Sequence, residues 1–315
     1  MKKSFFSFIL LLSLVSIILS ACGDNKESSN HNDTVAPEKE QESFVVIDGV
    51  GNEVEIPGKI EKVYAPGLED YLVTLGVTPV AQWSTGVSAQ VYLQDALSGV
   101  KEISFGNGVP GPESVIDLEP DLILFPTSFY AQNGVYENYS KIAPTYVFEN
   151  ALGDAVGSLQ TIAKLLSLED KAEEAIKKYN EKLENAKSTL ANITEGKKAV
   201  MINSNAKAIF LVSNQVYGGY ILDQLGFTQS SLVKGQTSAD LSLEALPDLD
   251  ADYIFINDND GLGKAFLKEI EASPLWEQVP AVKEGHVYYV KGDHWRSSGL
   301  IAYEKIIDDI LEFLK

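Results

Sequence analysis

Arginine is nearly absent from this chain: 24 lysines stand against one arginine, Arg296. Cysteine is as scarce. Cys22 is the only one, so the chain cannot form an internal disulfide. Histidine occurs three times, as His31, His286 and His294. A site for a bare transition metal needs imidazole, thiolate and carboxylate groups that converge. So few donors argue against direct zinc or manganese capture. Positive charge is short overall. The formal net charge is −20, which repels phosphate backbones and removes nucleic acid from the expected partners. There is no G-x-S-x-G elbow, and few histidines can serve as a general base, so a hydrolase is disfavoured. Long apolar runs are lacking too. The stretch from Phe5 to Leu19 covers 15 residues and is short for a transmembrane helix.

That stretch fits an export signal. Lys2 and Lys3 precede it, and the small residues Ser20 and Ala21 lead to Cys22. "LSAC" at 19–22 resembles a bacterial lipobox, in which the cysteine carries diacylglycerol and becomes the first residue. Residues 1–21 then form a lipoprotein signal peptide, with Cys22 as the lipidation site. Two acyl chains suffice for stable anchoring. Residues 22–43 contain no aromatic and little to bury, and are expected to be a disordered, lipid-anchored tether carrying a solvated His31. A flexible segment of that length spans about 25 Å on average. The expected location is the extracellular face of a cell membrane.

The rest is patterned as an α/β protein. "FVVIDGVGNEVEIP" at 44–57 alternates around Gly51-Asn52 and predicts a hairpin. Two later stretches repeat each other: "ESVIDLEPDLILF" (113–125) and "EALPDLDADYIFI" (244–256). Each reads as a short helix, a turn and a buried strand. Upstream of each lies a helix ending in Leu-Gly, "EDYLVTLGV" (69–77) and "YILDQLGF" (220–227). This order, found twice, predicts two Rossmann-like lobes with central, mainly parallel sheets, at residues 44–167 and 194–315. Between them, 168–193 places Leu168, Ala172, Ile176, Tyr179, Leu183, Ala186 and Leu190 on one helical face. At 1.5 Å per residue this single long linking α-helix spans about 40 Å. It is expected to act as a stiff strut.

Taken together, these features resemble the class III periplasmic-binding-protein family, the extracellular lipoproteins that feed iron–siderophore, heme and cobalamin ABC importers. The resemblance rests on "GNEVEIPGKIEKVYA" (51–65), "TLGVTPVAQ" (74–82), "ESVIDLEPDLILF", "KIAPTYVF" (141–148), "ILDQLGF" (221–227) and "SPLWEQVPAVKEGHVYYV" (273–290), and covers residues 44–315. It implies a monomeric binding protein, not an enzyme, with no resident cofactor. The Lys-rich, Arg-poor composition suggests a Gram-positive source. The ligand would sit in the cleft between the lobes, at the carboxyl ends of the strands. It would pass to an ABC permease with its ATPase. The resemblance also gives Glu113 and Glu244, at equivalent places in the two repeats, the role of docking to that permease. The competing explanation is that both merely favour a helix N-terminus.

The loops after the expected strands hold the ligand-binding candidates: Trp83, Phe129, Tyr130, Tyr217, Tyr220, His294, Trp295 and Arg296. Each aromatic competes with a plainer role as a cap on the local core. A planar guanidinium can donate two aligned hydrogen bonds where lysine cannot. Arg296 is therefore expected to anchor the ligand, supported by Trp295; the alternative is a structural pairing with an acid such as Asp293. A triscatecholate–iron complex carries three negative charges and would want several cations, whereas here only Lys207 and Lys291 lie near the loops. A ferric hydroxamate needs fewer, and is the preferred ligand. Ferric citrate or another carboxylate siderophore, a catecholate, heme and cobalamin stay open, as does a different class such as an adhesin. His286 and Trp276 are expected to be structural, and "NDNDG" at 257–261, with Asp258 and Asp260, a turn.

Overall fold

The computed structural model describes residues 42–315 apart from 87, 206, 207 and 260. Cys22, His31, Lys207 and Asp260 thus lie outside the described residues, as do the expected signal peptide and nearly all of the expected tether. No helix among the described residues is long and apolar enough to cross a membrane.

The hairpin forms as its alternation predicts. β1 (Phe44–Ile47) pairs antiparallel with β2 (Glu53–Ile56), with Phe44 opposite Ile56. Asp48 organises the turn by accepting the amides of Val50 (3.0 Å) and Asn52 (2.7 Å). It also accepts the Val147 amide at 3.2 Å, which ties the hairpin to the body.

The first sheet follows. β3 (Val63–Tyr64), α1 (Glu69–Thr74), β4 (Gln82–Ser84), α2 (Gln94–Leu97) and β5 (Glu102–Ser104) lead to α3 (Glu113–Ile116) and β6 (Leu122–Phe125). Then come α4 (Val135–Tyr139), β7 (Thr145–Val147) and α5 (Ala155–Leu166). β3, β6 and β7 lie side by side in that order, all parallel, and β4 and β5 form a separate parallel pair. The four residues of β6, "LILF", are all buried, as in a parallel strand covered on both faces.

α6 (Glu169–Thr194) matches the expected long helix to within one residue at each end. Glu169 and Asp170 sit in its first turn, where the helix dipole favours acids. Its buried residues, including Ala172, Tyr179, Leu183, Ala186 and Leu190, fall on the anticipated face.

The second sheet is built from β8 (Lys198–Ser204), β9 (Ile209–Val212), β10 (Thr228–Gln229), β11 (Ser238–Asp240), β12 (Tyr253–Asn257) and β13 (Val287–Val290). Its order is β11-β9-β8-β12-β13, with β10 also on β8. β8 pairs parallel with β10 and β12, and β12 with β13; β9 runs antiparallel to β8 and β11. α7 (Tyr217–Gln224), α8 (Lys264–Glu271), α9 (Pro280–Lys283) and α10 (Leu300–Leu314) complete this part. The repeat is visible in space: Glu113 opens α3 ahead of β6, and Glu244 lies in the 3-10 helix ahead of β12.

α6 is not a bare strut. α5 and α10 lie along it. One apolar core runs from Leu122 and Leu124 through Tyr179 and Leu183 to Met201, Phe255 and Ile306. Polar contacts join the two sheet regions reciprocally. Asp70 of α1 accepts the amides of Ile301 (3.1 Å) and Ala302 (2.9 Å), so it caps α10 from across the molecule. Asp293, from the C-terminal part, accepts the amides of Val91 (2.6 Å) and Tyr92 (3.3 Å). Gly299 makes the first cap fit: its φ is +135°, and a Cβ there would overlap the Asp70 carboxyl.

Candidate functional site

The aromatic candidates of the first sheet region converge. Trp83 projects from β4 and stands 6.5 Å from Phe105, just past β5. Phe105 is 5.5 Å from Tyr130, which lies in the 3-10 turn after β6. Phe129 meets Tyr130 edge-on at 6.3 Å and is 67% exposed. Burial and the charge of Glu69 push the Tyr130 phenol up to about 12, while hydrogen bonding from the Trp83 side chain pulls the other way.

Tyr217 faces this group from the second sheet region, near enough for its phenol to act electrostatically on Tyr130. Burial raises its pKa and Arg296 opposes the rise, so the phenol also lies near the guanidinium. The Tyr217 backbone is left-handed, with φ +55°. A bulky side chain rarely adopts that region, and such strain gathers at functional sites. Tyr220 packs at 5.2 Å from Tyr303. It also lines a groove of about 380 Å³ with Asn150, Asn214 and Gln215. Trp83, Phe105, Tyr130 and Phe129 thus form one cluster, coupled electrostatically through Tyr130 to Tyr217 and through Tyr217 to Arg296, while Tyr220 packs on Tyr303.

Trp295 is placed otherwise. It was expected as a cleft face beside Arg296, but it is fully buried. Its ring stacks on Phe255 at 5.5 Å, and its indole N–H donates to Asp309 at 2.8 Å. A Cβ on Gly218 would overlap this ring, so the start of α7 presses directly on it. Trp295 therefore belongs to the core that supports Tyr217 and Arg296. His294 is also withdrawn: its side chain is 12% exposed and its Nε2 lies 2.8 Å from the same Asp309 oxygen. Asp293, weighed as a partner for Arg296, holds the Val91 and Tyr92 amides. Lys291 is exposed. His286 stacks on Tyr253 at 4.5 Å and Trp276 is buried, both structural as anticipated.

Glu113 and Glu244 are exposed at the starts of their helical segments. Hydrogen bonds from its own amide and from Ser242 lower the Glu244 pKa. Glu244 therefore makes the local N-terminal interaction that any acid there would make, while Glu113 occupies the first turn of α3 without a side-chain cap bond.

Sequence reading missed three residues. Phe105 bridges Trp83 and Tyr130. Glu69 and Asp70 are adjacent buried acids. Glu69 Oε1 accepts the Trp83 amide at 2.6 Å, while its Oε2 is buried without a hydrogen-bond partner. Burial pushes Glu69 up to about 7 against the pull of the Trp83, Glu69 and Gly67 amides. Burial likewise pushes Asp70 up to about 6, against its donors from Ala302, Ile301 and Tyr92. In sequence, "ED" at a helix start is an ordinary dipole-favoured pair. Nothing local marks it as buried.

The chain is 32% identical to the iron(3+)-hydroxamate-binding protein FhuD of Bacillus subtilis, with 99% of this chain and 98% of that protein covered. It is 29% identical to the Fe(3+)-citrate-binding protein YfmC of the same organism, with 96% of each covered. Among solved structures, Staphylococcus aureus SirA complexed with staphyloferrin B superposes with a TM-score of 0.76 at 27% identity, covering 86% of this chain and 98% of that one. The family of periplasmic binding proteins matches residues 60–294. With a three-stranded parallel sheet and a six-stranded mainly parallel sheet, a 26-residue helix between them in sequence and that match over most of its length, the chain belongs to the periplasmic binding protein family.

Proposed function

We propose that the protein is a membrane-anchored, extracellular solute-binding protein that captures a ferric siderophore of the hydroxamate type and delivers it to an ABC importer. The observation that carries the ligand is the pairing of an aromatic cluster, Trp83–Phe105–Tyr130, with Tyr217 and the only guanidinium of the chain. Flat faces accept the apolar frame of a chelate. One planar donor suits the oxygens of a weakly charged ferric hydroxamate. The full-length likeness to a hydroxamate-binding protein supports the same reading.

In this reading the molecule is a monomer with two lobes, 44–167 and 194–315, joined by the helix at 168–193. It carries no resident cofactor and has no enzymatic role, and the iron is cargo. Cys22 would hold it by diacylglycerol to the cell surface, consistent with a relative named a probable siderophore-binding lipoprotein. The Lys-rich composition suggests a Gram-positive cell. Glu113 and Glu244 would dock to the permease that works with the ATPase.

A carboxylate siderophore is the second reading. It is favoured by the ferric-citrate-binding relative and by the structural likeness to a staphyloferrin B complex. Titrating the soluble protein with ferrioxamine B, ferric citrate, heme and cobalamin, and following tryptophan quenching, separates the two. Saturation with ferrioxamine B at the lowest concentration supports the hydroxamate reading. Tighter saturation by ferric citrate replaces it, and saturation by heme or cobalamin alone removes both.

A further inference from the structure

Glu69 lies beneath the aromatic cluster, out of reach of solvent. Its Oε1 takes the amide of Trp83 at 2.6 Å, its Oε2 has no partner in hydrogen-bond geometry, and the amides of Glu69 and Gly67 also act on the carboxyl, less than that of Trp83. The titratable groups that face it are acids and phenols: Asp70 beside it on α1, Tyr64 from β3 and Tyr130 from the turn after β6. The other elements packed on α1 direct their groups to its neighbours. Tyr92 and, from α10, Tyr303 act at Asp70, while Asp154, at the start of α5, acts on Tyr71. A buried carboxylate with one oxygen unpaired is costly, and a proton on that oxygen removes the charge.

We infer that Glu69 is a proton-operated positioning residue, which as a carboxylate grips the Trp83 amide and fixes the Trp83–Tyr130 pair, and as a neutral acid relaxes that grip. The charged form accepts the amide more strongly than the neutral one. Gain or loss of one proton therefore changes how firmly Trp83 is held. Burial pushes Glu69 up to about 7, so the exchange falls in the neutral range. Trp83 and Tyr130 are the aromatics that contact the chelate in the proposed function. On that reading, affinity for a ferric chelate depends on pH through Glu69.

The ligand-free protein tests the first half. Tryptophan emission is followed from about pH 5.5 to about pH 8.5, with Trp83→Phe as the blank for buried Trp276 and Trp295. A one-proton step near pH 7 is expected from Trp83 and is absent in Glu69→Gln, which retains an acceptor oxygen but cannot ionise. The absence of any step, or an unchanged step in Glu69→Gln, overturns the inference. Carboxyl 13C NMR of glutamate-labelled wild type gives the same answer if the variant does not fold. A midpoint near 7 for Glu69 supports the inference, and one below about 5, in the ordinary carboxylate range, overturns it. Ferrioxamine B tests the second half. Its dissociation constant should change about three- to tenfold across this range in wild type, within the tenfold that one unit of pKa coupling allows, and less than about twofold in Glu69→Gln. A Trp83 step without ferrioxamine B binding at any pH removes the ligand reading and leaves the role of Glu69 standing.

Discussion

Two tryptophans, Trp83 within β4 and Trp295 in the 3-10 turn after β13, are used by the fold in opposite ways. Trp83 projects from β4 half-buried and joins the surface cluster with Phe105 and Tyr130. Trp295, past β13, is sealed in the core. Both stretches looked alike in sequence, as aromatics beside polar residues at a sheet edge. The difference comes from remote neighbours. Gly218 leaves space for the Trp295 ring, Phe255 stacks on it, and Asp309 satisfies its N–H. A buried indole needs such a partner. Trp83 meets no comparable enclosure. Its anchor is its own backbone amide, held by Glu69.

Truncation should separate the two most sharply. Trp295→Ala removes a fully buried ring and should cost about 3–5 kcal/mol of stability. Trp83→Ala should cost about 1 kcal/mol or less, as expected of a partly exposed position. Urea unfolding of both variants checks this, and equal losses would erase the contrast. Gly218→Ala attacks the same enclosure from the other side. Its methyl group meets the Trp295 ring, and overpacking of this kind costs about 1–3 kcal/mol. It should also weaken ligand binding, because Tyr217 is the adjacent residue.

The acid beneath Trp83 gives a pH-dependent prediction. Glu69 holds its proton up to about 7, whereas the unfolded chain releases it near 4.5. The folded state therefore binds more protons between these values. The stabilisation is full below about 4.5 and is lost as pH rises to about 7, by about 3 kcal/mol. Unfolding of wild type and Glu69→Gln across this range should show a falling profile that is flatter in the variant.

Ligand binding sharpens the comparison in the opposite direction. Arg296→Lys keeps the charge but loses the fork, and should weaken ferric hydroxamate binding about ten- to a hundredfold, or about 1.4–2.8 kcal/mol. Calorimetric titration reads this directly. An unchanged affinity would show that the guanidinium does not anchor the chelate. The smallest effect on the isolated protein is expected from Glu113→Ala and Glu244→Ala. Both acids are exposed, so stability should change by about 0.5 kcal/mol or less. Chelate binding should be intact while uptake by cells falls. Normal uptake in the double variant would remove the docking role.

Periodicity was enough for much of the architecture. The alternation at 44–57, the helical face at 168–193 and the repeated helix–turn–strand units all express local steric and hydrophobic rules, so they are readable without tertiary knowledge. The relative placement of Glu113 and Glu244 followed from the same repeat. Residue types that converge were legible too, since the single Arg296 and the loop aromatics stand out against a lysine-rich, acidic chain. What only the tertiary structure decided is which groups lose their water. Asp70 meets the first turn of α10 across 231 positions, and Trp295 finds its cavity at Gly218 and its acceptor on α10. Glu69 is buried by the packing around α1, with an oxygen left unpaired. Burial and pairing between distant segments depend on how the chain returns to itself. A run of residues fixes its own periodicity, but its neighbours across the fold set its dielectric, its donors and its charge.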